Sequence, residues 1–580
     1  MAPPSSSLPQ RSASASPEWK LLLACTRTRL HDAHRDQIRE LLRRPVDWPR
    51  FISEASRHGL ESLANRHLAV EGAGAIPTAA ATSLATLARL RSRDSLLHAG
   101  QLIELVDLFR SAGVAAIPYK GPTLGALAYG NFALRSFVDL DFILPQRDLL
   151  RAARLLAAQG LQASPDPSAA EEARFLARFH PGQYAFVSGS KPLQVELHTE
   201  NTLRYLPVPL DWEGLAQRFV QVSFGGRQVQ TFSVEDTLIL LSVHGTKHFW
   251  ERLNWICDIA ELVQTSRGVD WELGQDLARR AGCRRMWLLG LSLANRLLDA
   301  PLPATVRGWI EADSQVPLLG CQIQGRLAGE DRTVRSVPDR LLFRLRSHES
   351  LSVSLRQCLR TATHPTEEDW KAWKLPDWAA PLYVALRPWR LLCEHGFGLR
   401  RRPLPDLASF IPTPHELVEK VLRFAALGAG DVLYDLGCGD GRIVIAAARQ
   451  FGIRAVGIDI DPRRIAEAQA NARRSGVEHL VEFRQQDVLG ADLTPATVVT
   501  LYLSDSGTLA LSGKLREQLR PGARIISRDA ALHGWDPSSM EKIVLGTSER
   551  ASTLFEWRIP QRAESLTQEA STPSMVGSAG

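Results

Sequence analysis

Two groups of carboxylates in this chain have the spacing that chemistry needs. In "SFVDLDFIL", Asp139 and Asp141 stand two residues apart. In a strand both side chains leave one face, while Val138, Leu140 and Phe142 point to the core on the other. Like charges this close repel unless a cation lies between them, and magnesium held by one or two carboxylates plus phosphate oxygens answers that need. Glu196 in "LQVELH" would supply a third carboxylate, with His198 on its face. The alternative for the pair is a strand edge made soluble by two charges.

The second group surrounds a glycine loop. In "VLYDLGCGDGR" an apolar strand ends at Asp435 and Leu436, and a helix begins near Arg442. Between them lie Gly437, Gly439 and Gly441, which permit positive φ and remove the Cβ that would keep a ligand from the main chain. A pyrophosphate site wants G-x-G-x-x-G at a helix start. Here the spacing is G-x-G-x-G, and Asp435 and Asp440 would repel a pyrophosphate. A cationic ligand with an amino-acid end fits better, and S-adenosylmethionine (SAM) meets that description. The next strand, "RAVGIDID", ends at Asp459, placed to accept from both ribose hydroxyls, while Asp461 reads as a cap before Pro462. A third strand leads to Asp487 in "VEFRQQDV", placed to accept from an adenine amino group.

The elements that must position these groups fall into two regions. Residues from about 18 to 110 have apolar positions at helical spacing. Strand, helix and strand follow between 115 and 145, then the helix "RDLLRAARLLAAQG", the short strand "KPLQVELHTE", and mostly helices from 233 to 330. His244 and His248, four apart on one helix, have the spacing of a metal pair but no evident third ligand, so a structural or substrate-facing role is the alternative. From about 405 to 560 strands and helices alternate as in an α/β domain with a largely parallel sheet. The fold expected is therefore α/β. A helix-rich α+β unit at 18–400 is joined by a linker at 401–407, which includes Arg401 and Arg402, to a doubly wound Rossmann-like domain at 408–562. A Ser/Pro-rich leader at 1–17 and a tail at 563–580 read as disordered.

Composition narrows the setting. At 580 residues the chain exceeds what one core supports. A net charge of +6 permits an acidic or phosphate-bearing partner without demanding nucleic acid. The seven cysteines are scattered with no CxxC pair, which argues for reduced thiols in a cytoplasm. No apolar run reaches the roughly 18 residues of a membrane span, and the leader lacks the apolar stretch of a secretory signal.

On these motifs, residues 408–536 resemble a class I SAM-dependent methyltransferase. The segments "FIPTPHELVEKVL", "DLGCGDGRIVIAAA", "GIDIDPRRIAEAQANA" and "ATVVTLYLS" resemble the adenine nucleotide translocase lysine methyltransferase family and its prokaryotic relatives. The resemblance implies that Asp435, Gly437, Gly439 and Gly441 line the methionine end, Asp459 the ribose and Asp487 the adenine. It puts Tyr502 and Asp505 on the methyl-acceptor side, with Pro412 and Thr413 at the entrance, although "PTP" is equally a helix-start turn. Ser504 and Asp505 stand where that family would have an apolar residue and a proline. A protein lysine is the acceptor so implied.

"YKGPTLGALAYGNFALRSFVDLDFIL", "VELHTE", "HGTKHFWERLNWICDIAELV" and "LPDWAAPLYVALRPWRLL" resemble the uncharacterised nucleotidyltransferase family 5 of the polymerase-β-like superfamily. That resemblance implies Mg²⁺ on Asp139, Asp141 and Glu196, and a nucleoside triphosphate met by Lys120, Gly121 and Arg135. Lys120 as a surface lysine is the alternative, and Pro122 follows Gly121 where the superfamily has Gly-Ser or Gly-Gly in its loop. A bifunctional cytoplasmic enzyme is expected, or a methyltransferase whose first unit is a silent binding module.

Overall fold

The computed structural model separates into two compact units, Met1–Pro403 and Leu404–Gly580. It describes residues 16–137, 139–163, 182–188, 193–200, 211–266, 268–328, 337–349, 375–395, 415–502, 505–528, 537–544 and 551–560, with isolated positions such as 363–365, 369, 373, 413, 532 and 535. The leader through residue 15, the linker at 401–407, Pro412, Ser504 and the tail lie outside these residues.

In the first unit, short helices between Pro17 and Glu71 precede a long helix, α1 (Thr78–Ser111). The five-stranded sheet contains β1 (Ile117–Pro118), β2 (Leu140–Ile143), β3 (Leu161–Ala163), β4 (Gln183–Ser188) and β5 (Gln194–His198), in the order β1-β2-β5-β4-β3. β2 and β5 are parallel, with Asp141 opposite Glu196, and β4 runs antiparallel to β5 with Gln183 opposite His198. Leu140, Phe142, Val195 and Leu197 fill the core against α1, with the Phe109 and Phe142 rings edge to face. A two-stranded ribbon, β6 (Val220–Phe224) and β7 (Arg227–Thr231), follows. No strand was expected here from the sequence, although "VQVSF" alternates apolar and polar residues as a half-buried strand does.

The helical part rests on α2 (Val234–Lys247), α3 (Leu253–Thr265) and α4 (Arg284–Leu298). Ser233 caps α2 by accepting from the Asp236 N–H. α4 is apolar on nearly every face, which suits a helix enclosed by neighbours, and its Trp287 and Leu289 are fully buried. One expectation is corrected here. The strand that carries the acidic pair starts at Leu140, so Asp139 precedes it, and Asp141 is 2% exposed rather than part of a solvated edge. The first strand shrinks to Ile117–Pro118, because proline has no N–H to extend a ladder.

The second unit holds a seven-stranded sheet built from β8 (Val432–Leu436), β9 (Arg454–Asp459), β10 (Val481–Gln485), β11 (Val498–Leu501), β12 (Arg524–Arg528), β13 (Ser539–Val544) and β14 (Ala551–Arg558). The order is β10-β9-β8-β11-β12-β14-β13. Strands β8 to β12 are parallel, and β14 joins β12 and β13 antiparallel. β8 is flanked on both sides and is nearly all buried, as its apolar run requires. Its neighbours are β9 on one side and β11 on the other, so the winding reverses there. The loop after β8 lies at the carboxyl edge where such sheets bind ligands. Helices α5 (Arg442–Phe451), α6 (Pro462–Arg474) and α7 (Asp505–Gln518) follow β8, β9 and β11.

Candidate active sites

The loop after β8 turns on three glycines with positive φ: Gly437 (87°), Gly439 (54°) and Gly441 (80°). At Gly441 a Cβ would sit 2.8 Å from the Phe483 ring and 2.9 Å from the Ala468 Cβ, so no side chain fits. The Gly437 and Cys438 N–H groups donate to the Ile458 carbonyl, which ties the loop to β9. Asp459, at the end of β9, accepts from the Gly439 N–H through Oδ2 (2.9 Å) and from the Asp461 N–H through Oδ1 (2.9 Å). Asp487 sits one strand further and accepts from the Leu489 N–H (2.9 Å). Asp435, Asp459 and Asp487 thus stand at or just past the carboxyl ends of β8, β9 and β10, three adjacent strands.

Asp435 is 4% exposed, and the Thr500 hydroxyl of β11 donates to its Oδ1 (2.7 Å). Among the described residues it has no salt-bridge partner. Burial pushes its carboxyl up to about 7; the Thr500 hydroxyl opposes this, while Asp459 and Asp440 add to it. A buried carboxylate short of a counter-charge is what the ammonium of SAM would complete. Asp440 differs, because it is paired with the Arg442 guanidinium (Nε to Oδ1, 2.8 Å), so its charge is already answered. The donor set therefore fits SAM.

Thr413 is buried, and its carbonyl accepts from Arg442 at the start of α5. Its hydroxyl lies 3.4 Å from Nη1 of Arg528, whose guanidinium covers the Tyr502 ring at 4.1 Å. Thr413 and Tyr502 are brought together by an arginine that sequence reading missed. Its signal was its position at the end of the fifth parallel strand. The backbone of Asp505 begins α7.

In the first unit, Asp141, Glu196 and His198 converge, with one potential ligand atom from each within 4.8 Å of the others. His198 Nε2 lies 2.9 Å from Asp141 Oδ1 and 3.4 Å from Glu196 Oε2. Lys120 Nζ is 3.3 Å from Asp141 Oδ2, yet that oxygen is buried with no hydrogen bond. Burial alone would raise the Asp141 carboxyl, but Lys120 and His198 hold it well below the usual carboxylate range. Burial and the neighbouring Asp141 push Asp139 up to about 6. Two carboxylates and an imidazole, with one Asp141 oxygen lacking a hydrogen bond, fit a divalent cation.

Two expectations shift. Lys120 is 8% exposed and paired to Asp141, not a surface lysine. Arg135 gives Nε and one terminal nitrogen to Asp258 of α3 (2.8 and 2.9 Å), and the Tyr129 hydroxyl joins the same carboxylate. Most of its fork is thereby committed to the fold, leaving Nη1 buried and without a hydrogen bond. Gly121 has φ 56° and lies near the Asp139 carbonyl, which explains a glycine there.

Comparison with known proteins agrees with this division. Residues 44–299 match the family described as an uncharacterised nucleotidyltransferase, and residues 435–539 match the ANTKMT methyltransferase domain. A protein-lysine N-methyltransferase of Saccharolobus islandicus is 37% identical over 147 residues, 25% of this chain and 91% of that protein. The adenine nucleotide translocase lysine N-methyltransferase of Mus musculus is 35% identical over 150 residues, covering 26% of this chain and 64% of that protein. A solved RNA methyltransferase from Salinibacter ruber, in complex with S-adenosyl-L-homocysteine, is 47% identical, covers 26% of this chain and 94% of that one, and has a TM-score of 0.24. Through residues 435–539 the chain belongs to the ANTKMT methyltransferase family and is a SAM-dependent methyltransferase, with a nucleotidyltransferase-like region at residues 44–299 ahead of it.

Proposed function

We propose that a domain at residues 408–562, within the second unit, methylates a lysine side chain of a protein, and that a domain at residues 18–400, within the first, transfers a nucleotidyl group in a metal-dependent reaction. The observation that carries the methyl-transfer half is the buried Asp435 carboxylate, which has no cation of its own beside the glycine loop. When bound, SAM supplies a methyl group on a positively charged sulfur. Asp435 with Gly437, Gly439 and Gly441 holds the methionine end, Asp459 accepts from the ribose hydroxyls, and Asp487 accepts from the adenine amino group. Thr413 and Tyr502 lie on the acceptor side, to which Asp505, whose side chain lies outside the described residues, is also assigned. In-line displacement depends on alignment more than on acid–base help. A lysine must still lose its proton first, to Asp505 or to water. The names of two relatives, one archaeal and one murine, support the lysine assignment.

In the first unit Asp141 and Glu196 hold Mg²⁺ with Asp139 beside them, and Lys120 and Gly121 lie toward the phosphates. The metal, when bound, activates an acceptor hydroxyl and steadies the leaving pyrophosphate. One observation favours a second reading, a silent module that delivers a partner: the Lys120 ammonium already supplies Asp141 with a positive charge. Location in the cytoplasm is supported by the free thiols of Cys25, Cys257, Cys283, Cys321 and Cys438. No helix of the described residues is long and apolar enough to cross a membrane.

Mass spectrometry of host lysate incubated with methyl-labelled SAM tests the first half. Label on lysines with wild type and none with Asp459→Ala supports it; label confined to RNA overturns the lysine assignment. Incubation with labelled nucleoside triphosphates and Mg²⁺ tests the second. Transfer lost in Asp139→Ala supports an enzyme, and no transfer by folded wild type leaves the silent module.

A further inference from the structure

The last turn of α2 faces the carboxylate cluster with a set of groups that neither expected activity has used. His244, Lys247 and His248 lie three and four residues apart, hence on one helix face. The two imidazole rings are 4.7 Å apart, and both pack on Trp255 of α3, at 5.3 and 5.4 Å. All three side chains are half-buried. Gln183 of β4 connects this wall to the floor of the cleft: its Oε1 accepts from Lys247 Nζ (2.9 Å), and its Nε2 donates to Glu196. Lys247, Lys120 and the acidic cluster therefore share one small volume.

The wall is held by an unusual turn. Phe249 and Trp250, directly after His248, both have φ 56°, a left-handed conformation that bulky residues rarely adopt. The Trp250 indole is driven into the core at 1% exposure and lies against Gly245, where a Cβ would sit 2.5 Å from the ring. Strain of this kind persists where surrounding packing over-determines it, and it fixes how the helix end presents its side chains.

The one cation of this wall, Lys247, has no ion pair among the described residues, although the carboxylates of Glu196, Asp141 and Asp139 lie near it. Burial and the nearby Lys120 press Lys247 down to about 8, and burial with Lys247 presses His248 down to about 3. His244 is also pushed well below the usual histidine range, first by burial and then by Lys120. Glu196 is engaged with Gln183 and Asp141 with His198 and Lys120, so an incoming anion would meet two carboxylates whose charge is already partly answered, with Asp139 beside them.

We propose that His244, Lys247 and His248 form a binding wall for the phosphate groups of an anionic ligand entering the carboxylate cleft of the first unit. Lys247 carries the charge, the two imidazoles donate hydrogen bonds, and Trp255 holds their rings. The proposal deepens the nucleotidyl-transfer reading and rests on it for the identity of the ligand, though not for the site itself.

Inorganic tripolyphosphate, titrated calorimetrically into the full chain in EDTA, probes the wall without metal or turnover. Wild type is expected to bind, Lys247→Gln to bind at least 10-fold more weakly, and His248→Gln several-fold more weakly. Lys247→Arg should restore most of the affinity, which a role in packing alone would not give. Equal affinity in wild type, Lys247→Gln and His248→Gln, with melting temperatures unchanged, overturns the proposal, as does no binding by wild type. Asp141→Asn separates this from the parent reading, because it removes metal-dependent transfer while leaving tripolyphosphate bound. Lys247-dependent binding in a protein that transfers no nucleotide would end the transferase reading and keep the wall.

Discussion

Replacing Asp435 by asparagine should move stability and ligand affinity in opposite directions. The carboxyl is enclosed behind β8, takes one hydrogen bond from Thr500, and is raised from an ordinary 3.8 to about 7. A rise of that size is a penalty of roughly 4 kcal/mol on the ionised form. The folded state binds this proton more tightly than the unfolded state does. The native unit is thus favoured while the group is protonated and loses that advantage as pH climbs from about 4 to about 7. Asparagine keeps the oxygen that Thr500 donates to and removes the charge. At pH 8 the ligand-free variant should be about 2–4 kcal/mol more stable, a rise in the second unit's Tm on the order of 5–10 °C. SAM affinity should fall roughly 10–150-fold, the worth of one charge-assisted hydrogen bond of about 1.5–3 kcal/mol. Wild-type affinity should also weaken toward tenfold per pH unit below about 7, while the variant's stays flat. Differential scanning calorimetry and titration calorimetry between pH 6 and 8.5 read both quantities. A folded Asp435→Asn protein that binds SAM as wild type does, with no gain in Tm, would refute the assignment of this carboxylate to the ligand's ammonium.

Three further outcomes are expected. Gly441→Ala places a Cβ against Phe483 and Ala468 at φ 80°, and should cost about 2–4 kcal/mol in denaturant unfolding of the second unit; a change under about 0.5 kcal/mol would be the wrong result. Arg135→Met leaves the Asp258 carboxylate in the core with only the Tyr129 hydroxyl donating to it, so the first unit should lose about 3–5 kcal/mol; an unaltered melting curve would show that the pair is not holding the helices. Lys120→Met deletes the internal cation beside Asp141, and divalent-ion affinity of the first unit at pH 8, read by titration with Mn²⁺, should rise about tenfold, the worth of about 1.4 kcal/mol; unchanged affinity would mean that lysine and metal do not compete.

What the sequence disclosed was local in origin. Gly437, Gly439 and Gly441 announce a turn through their own backbone freedom, and Asp435 and Asp459 belong to short, largely apolar strands, while Asp487 follows the alternating "VEFRQ". Asp139 and Asp141 could be seen as a pair, but not how differently they are placed. That depends on Lys120 folding onto Asp141 and on where β2 begins. Arg135 looked ready for phosphate because Asp258, 123 residues away, was invisible as its partner. His198 was noticed beside Glu196, yet its approach to Asp141 requires the parallel pairing of β2 with β5. Lys247 gave no signal at all, since its field comes from Lys120, Asp139, Asp141 and Glu196, all far from it in the sequence. Contacts across long stretches of chain decide which charges are already answered.

The place of β14 carries a consequence for biosynthesis. Residues Ala551–Arg558 lie between β12 and β13, both of which leave the ribosome first. Until they emerge, β12 has a bare flank, β13 has nothing to pair with, and the cavity later filled by Trp557 stays open. A nascent polypeptide stalled or clipped before Ala551 would therefore already contain its glycine turn and acidic strand ends while exposing an adhesive border to its neighbours. Chaperone demand should peak between the emergence of β13 and that of β14.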